Sequence, residues 1–224
     1  MPEPAESEIA IFPLSNVVLF PRISSPLHLF EPRYRQMARD ALADDRRIGM
    51  TVVRPEFADD LGGTPPLYPV GCAGRITEHE RMPDGRYNVV LLGERRFRIL
   101  EEVPGPEERL YRVARVAWLD DHYDDADRER VARLRSHIVE NVGVLARETQ
   151  PETAASVDPE LFAGVDDETL VNLLCNAFAM PVEDKQALLE ADAIADRYAR
   201  LASSLSFQRA ELSNSSAPDR ERMH

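Results

Sequence analysis

The run Pro13 to Tyr34, PLSNVVLFPRISSPLHLFEPRY, constrains the fold more than any other stretch, because prolines mark the corners at which extended chain gives way to helix. Pro26 opens a strand in which Leu27 and Leu29 point to one face, since side chains alternate along a strand. Pro32 sits where the first turn of a helix tolerates proline, its missing N–H having no intrahelical partner there. After it Tyr34, Met37, Ala38, Ala41 and Leu42 recur at helical spacing, which predicts a buried stripe.

The rest of the first half reads as strands. Residues 9 to 14, 48 to 54, 70 to 80, 86 to 92, 95 to 102 and 110 to 119 are β-branched or alternating, with Gly, Pro and Asp between them. Pro83-Asp84-Gly85 is a turn signal, proline setting one φ and glycine accepting a positive one, so a hairpin is expected there. Residues 55 to 69, with Gly62-Gly63 and Pro65-Pro66, carry neither period and predict a long surface loop.

Past residue 120 the period changes. Val131, Leu134, Ile138, Val142 and Leu145 repeat every three or four residues, behind an acidic run, Asp120 to Asp127, that suits a helix N-terminus. Asp158-Pro159 predicts a short turn, and Asp166 or Asp167 caps a helix carrying Leu170, Leu173, Leu174, Ala177 and Phe178. Pro181 ends that helix and admits another, and a last helix after Asp192 has the stripe Ile194, Tyr198, Leu201 and Leu205. Four such helices each need a partner for one face, which predicts a bundle.

The Pro13 to Tyr34 run resembles the start of the N-terminal, substrate-binding domain of the ATP-dependent Lon proteases. Further blocks follow in the order that family has them: Arg46-Arg47-Ile48-Gly49, then Val70-Gly71 with Ile76, then Asp84-Gly85-Arg86-Tyr87 leading to Gly93 and Arg95-Arg96-Phe97-Arg98-Ile99. Pro181 to Glu190, PVEDKQALLE, resembles the segment before the last helix of the same domain, so the likeness spans about residues 8 to 207. Cys72 stands where the family commonly has threonine.

The resemblance implies an α+β chain: an N-terminal PUA-like β pseudo-barrel with one inserted helix (8–119), followed by a C-terminal α-helical bundle (120–212). Residues 1–7 and 213–224 are too poor in apolar side chains to order themselves and are expected to be disordered. A Lon protease also needs a phosphate loop of the form GxxxxGK[ST] and a serine activated by lysine. Here the single lysine, Lys185, follows Val182-Glu183-Asp184 with no nearby glycine, so neither site can be built on it. The expectation is a noncatalytic domain without motor or peptidase.

Net charge is −13, and it is unevenly placed: residues 1 to 119 carry 16 arginines against 18 acidic groups, and the remaining 105 carry 11 basic against 22 acidic. Such a surface repels phosphate and anionic lipid over about 8 Å at physiological salt, which makes nucleic acid an unfavoured partner. Arg75, Arg81, Arg86, Arg95, Arg96 and Arg98 could still form a basic sheet face, but Glu78, Glu80, Glu94, Glu101 and Glu102 interleave with them as cross-strand ion pairs require. No apolar run approaches the roughly 20 residues that span a bilayer, and MPEPAESE lacks the basic and apolar parts of a signal peptide, so a cytoplasmic location is expected. Cys72 and Cys175, with no CxxC or histidine neighbour, read as buried reduced thiols. The five histidines form no HExxH or other ligand spacing, and no GxSxG or GxGxxG occurs, so neither a metal nor a cofactor is expected.

The functional candidates are therefore apolar. Leu29, Phe30, Tyr34, Met37 and Met180 are the expected substrate-binding residues, in a groove between barrel and bundle or near the loop 55 to 69. The implied partners are unfolded or misfolded polypeptides, with a protease or its substrate behind them. The alternatives are a PUA-like protein binding nucleic acid or a small ligand, and a hydrolase.

Overall fold

The alternating segments form six strands: β1 (Glu6–Leu14), β2 (Ser24–Leu29), β3 (Arg47–Val52), β4 (Val70–Arg81), β5 (Tyr87–Glu102) and β6 (Arg112–Leu119). Helix α1 (Pro32–Ala43) lies between β2 and β3, and α2 (Arg128–Thr149), α3 (Asp167–Ala177), α4 (Val182–Leu189) and α5 (Ile194–Ser215) follow the strands. These come from a computed structural model that describes residues 6–60, 62–121, 125–149 and 162–215. The expected Asp158-Pro159 turn lies outside them, as does the side chain of Leu145.

The strands form one sheet in the order β2-β5-β4-β3-β1-β6, and β5 also pairs with β6, so five of them close into a ring. Neighbours run antiparallel except β1 and β3, which are parallel. The ring closes because β5 is 16 residues long: its first part, Tyr87 to Leu92, pairs with β2, and Arg96 to Glu102 pairs with β6. Two separate strands were expected there, parted at Gly93. The chain instead stays extended, and Gly93 serves another purpose: its N–H donates to the Ile23 carbonyl at 2.9 Å and its carbonyl accepts from Arg22 N–H at 2.7 Å. A Cβ at Gly93 would lie 2.1 Å from the Phe20 carbonyl oxygen, so only glycine admits this backbone approach.

The hairpin expected at Pro83-Asp84-Gly85 joins β4 to β5. Gly85 has φ of +84°, Met82 N–H donates to Arg86 O at 2.9 Å, and Asp84 accepts the Arg86 N–H at 3.1 Å. Pro32 opens α1, whose stripe Tyr34, Met37, Ala38 and Ala41 is buried. Inside the ring Ile9, Ile11, Ala73, Phe97, Ala114 and Val116 form a core cluster, with Trp118 edge-on to Phe97 at 6.3 Å. Both termini are ordered further than expected. Glu6 and Ser7 join β1 because they pair with Ala117 and Val116 and Ser7 accepts a bond from the Trp118 indole at 3.0 Å, and α5 runs on to Ser215, no proline intervening before Pro218.

The chain divides into two compact units, one of residues 1–120 with 172–190, the other of 121–171 with 191–224. The division departs from a barrel followed by a four-helix bundle. Residues 172–190 belong to the strand-bearing unit because buried polar side chains tie them to it. Asn172 donates to the Pro21 carbonyl at 3.1 Å, Gln186 to the Val70 carbonyl at 2.9 Å, and Arg96 to the Leu189 carbonyl at 2.8 Å. Each replaces solvation that a buried polar group would otherwise lack.

In the second unit α2 packs along α5, with Val131 and Ile138 buried on one helix and Tyr198, Leu201 and Leu205 on the other. Asp166 caps α3, accepting the Thr169 N–H at 2.9 Å. Arg135 holds the turn before it through the carbonyls of Phe162 and Val165 and the carboxylate of Asp167. Arg197 is fully buried and donates to Asp121 at 2.8 Å.

Candidate functional site

Where β2, β5 and the end of β4 lie side by side, cross-strand register sets which side chains share a face. Glu80 opposes Asn88, and Asn88 opposes His28; one step along, Glu78 opposes Val90, and Val90 opposes Pro26. The first row is joined by hydrogen bonds, Asn88 donating to Glu80 at 3.3 Å and meeting His28 Nδ1 through its carbonyl oxygen at 2.7 Å. Phe30 follows on the same side, its ring stacked beside His28 at 6.1 Å, and Arg86 reaches His28 Nε2 at 3.3 Å while pairing with Asp84 at 2.7 Å. Phe30 is 59% exposed.

Next to Phe30 lies a hollow of about 450 Å³, lined by the apolar Pro26, Leu27, Val89 and Val90 and the polar Glu78, Glu80, His28, His79 and Asn88. Its acidic rim depends on an irregularity in β4. Ile76 opposes Leu91 but Glu78 opposes Val90, so Thr77 is an extra residue, a bulge. Without it Glu78 would stand opposite buried Val89, facing the other way; with it Glu78 and Glu80 both join Val90 and Asn88. The Thr77 hydroxyl donates to the Val90 carbonyl at 3.2 Å.

The expected binding residues fall into different environments. Leu29, Tyr34 and Met37 are buried, Tyr34 lying edge-on to Phe12 at 4.4 Å. Burial holds the Tyr34 hydroxyl above the ordinary tyrosine range. All three pack within the fold, and Tyr34 and Met37 also line hollows. Phe30 alone of the five is open, and Met180 is half-buried. Leu29 and Phe30 differ because strand alternation sends them to opposite faces.

Two polar hollows flank Tyr111. One, of about 310 Å³, is lined by Gly62, Gly63 and Thr64 of the long loop with Arg33, Tyr34 and Arg112; the other, about 300 Å³, by Met37, Asp40, Asp44, Arg47, Arg109 and Trp118 among others. Their arginines are engaged within the fold: Arg33 with Glu31 at 2.9 Å, Arg112 with Glu102 and with the Pro65 carbonyl at 3.0 Å, Arg47 with Glu94 at 2.9 Å. Gln36 bonds the segment before β6 in both directions, donating to Glu108 O and accepting from Leu110 N–H.

The profile of the ATP-dependent protease La (LON) substrate-binding domain matches residues 8–206. The chain belongs to that family. It is 30% identical over 187 residues to a Lon protease of Anaeromyxobacter dehalogenans and 31% identical over 189 residues to Lon protease 2 of Myxococcus xanthus, covering 81% of this chain each time. It spans 21% of the length of those two relatives. Among solved structures, the N-terminal domain of a Mycobacterium avium complex Lon protease aligns with 89% of this chain and 98% of that one, TM-score 0.66 at 17% identity. A Lon N-terminal domain protein from Xanthomonas campestris gives 90%, 98%, 0.56 and 20%. At such identities these two show the fold.

The match to the Lon family thus covers its substrate-binding domain and not its catalytic modules. Lys185 behaves as a structural residue. Its ammonium donates to the Asn176 carbonyl at 2.7 Å, near the end of α3, and burial lowers its pKa below the ordinary lysine value. Of the six arginines read as a basic sheet face, Arg75 pairs with Glu94 and Arg95 with Asp120, both at 2.5 Å, Arg86 pairs with Asp84 at 2.7 Å, and buried Arg96 donates to the Leu189 carbonyl at 2.8 Å. Among the described residues no three His, Cys, Asp or Glu side chains cluster as metal ligands, and no helix is long and apolar enough to cross a membrane.

Proposed function

We propose that this chain is a noncatalytic polypeptide-binding module that engages exposed apolar segments of unfolded proteins, as an adaptor in proteolysis, through the outer face of β2, β5 and β4. One observation carries the reading: a chain of the Lon substrate-binding family presents an exposed aromatic side chain, Phe30, beside a hollow with Val90 and Pro26 in its lining. A shallow hollow of this kind suits many sequences at low affinity, because an extended peptide loses conformational entropy on binding and gains few buried anchors. A cytoplasmic site of action and a PUA-like classification of the closed ring belong to the same proposal. The engaged arginines support a polypeptide over a nucleic acid, since phosphate binding requires basic groups not already neutralised.

The test is equilibrium binding of the purified chain to a chemically denatured, alkylated protein and to its folded parent. Micromolar affinity for the denatured form, weaker binding to the folded one and little dependence on salt are expected. Steep salt dependence, or ATP hydrolysis above that of a mock purification, would contradict the reading.

A further inference from the structure

The geometry points to a charge preference: the β2–β5–β4 face selects extended polypeptide segments in which lysine or arginine stands next to an apolar residue. This rests on the polypeptide-binding reading and names its substrate class. Two carboxylates, Glu78 and Glu80, stand two residues apart on one strand, on the same side as Val90, Pro26 and Phe30. Glu78 makes no hydrogen bond or ion pair among the described residues, and Glu80 accepts only a long bond from the neutral Asn88 amide. Arg86 is paired with Asp84 and turned to His28, and Arg81, next to Glu80 in sequence, lies over the Tyr87 ring at 6.0 Å, so neither is paired with the glutamates.

Among the described residues the acidic rim therefore has no paired cation, and the Thr77 bulge is what turns both carboxylates toward the hollow. A strand lying over the hollow also places alternate side chains about 7 Å apart, twice the strand rise, which matches the spacing of Glu78 and Glu80. An apolar side chain would then rest on Val90 and Pro26 while neighbouring cations meet the carboxylates. The open face of Phe30 offers a guanidinium a further contact.

The experiment uses the full chain and three short fluorescein-labelled peptides with one unstructured, leucine-containing frame and lysine, glutamine or glutamate at the variable positions. Fluorescence anisotropy at low salt should rank them lysine, glutamine, glutamate. The lysine-to-glutamate ratio should be on the order of tenfold, because exposed pairs contribute modestly and salt screens them. Glu78→Gln with Glu80→Gln should bring that ratio near one. Equal binding of all three peptides to the unaltered protein, or a ratio that survives the double substitution, overturns the charge preference and leaves polypeptide binding standing. Failure of every peptide to bind a folded sample overturns both. Preference for the glutamate peptide or for an oligonucleotide overturns the inference outright, as does a concentration-dependent dimer that peptide displaces, which would give this face to a second copy of the chain.

Discussion

Leu29 and Phe30 are adjacent in sequence and opposite in environment, so truncating each to alanine separates stability from binding. Leu29 is 1% exposed at the end of β2, opposite buried Tyr87. Removing a buried leucine side chain forfeits its transfer free energy and leaves a cavity, about 2 to 5 kcal/mol together. For a chain of this size each kcal/mol lowers Tm by roughly 2 to 4 °C, so Leu29→Ala should melt about 4 to 20 °C below the parent. Phe30 keeps most of its surface in water, and Phe30→Ala should cost within about 0.5 kcal/mol, the range of ordinary surface changes. Binding reverses the order. Phe30→Ala should weaken capture of a denatured protein by about 1 to 2 kcal/mol, the loss of a moderate interface contact, whereas Leu29→Ala, measured on the folded fraction, should not. Thermal denaturation followed by circular dichroism, with anisotropy at a temperature where both variants are folded, gives the two quantities. If Phe30→Ala melted as low as Leu29→Ala, or if Leu29→Ala alone lost binding, the assignment of inner and outer faces would be wrong.

Gly93→Ala should destabilise the first unit by about 3 kcal/mol or more, since its new methyl would meet the Phe20 carbonyl at 2.1 Å and backbone cannot yield as a flexible side chain does; urea denaturation reads this. Arg197→Ala should cost about 3 to 5 kcal/mol in the second unit, because it strands the Asp121 carboxylate with its partner gone, and Asp121→Ala with Arg197→Met should recover part of the loss. Burial raises the hydroxyl pKa of Tyr34 and of Tyr111, the latter also beside Asp40. The unfolded chain therefore releases those protons first, so stability should hold up to about pH 10 and decline above it. Tyr34→Phe should flatten that decline; a slope unchanged in the variant would remove Tyr34 from the account.

How far the sequence could be read depended on whether a signal was local. Pro32 as a helix opener, Pro83-Asp84-Gly85 as a hairpin and Asp166 as a cap were legible because each acts within a few residues. Ring closure was not, since it depends on β5 continuing through Gly93, and a glycine that separates strands looks in sequence like one that admits a crossing backbone. Residues 172–190 show the same limit: their apolar stripes match any bundle helix, while Asn172 and Gln186, which tie them to the strand unit, are polar residues whose carbonyl partners lie more than a hundred positions away. The binding face was half legible. Phe30 could be named from its cluster, but alternation alone could not separate it from Leu29 as the member left in water. The glutamates were masked further, since a strict period of two from Ile76 puts Glu78 and Glu80 on the buried side. A residue inserted at Thr77 resolves that conflict at the cost of one irregular step in the ladder, and the same step gives the hollow its charge. Deleting Thr77 removes that extra residue without moving Glu78 off Val90 or Glu80 off Asn88, so the peptide charge preference should survive the deletion in protein that still folds, and its loss there would refute the assigned register.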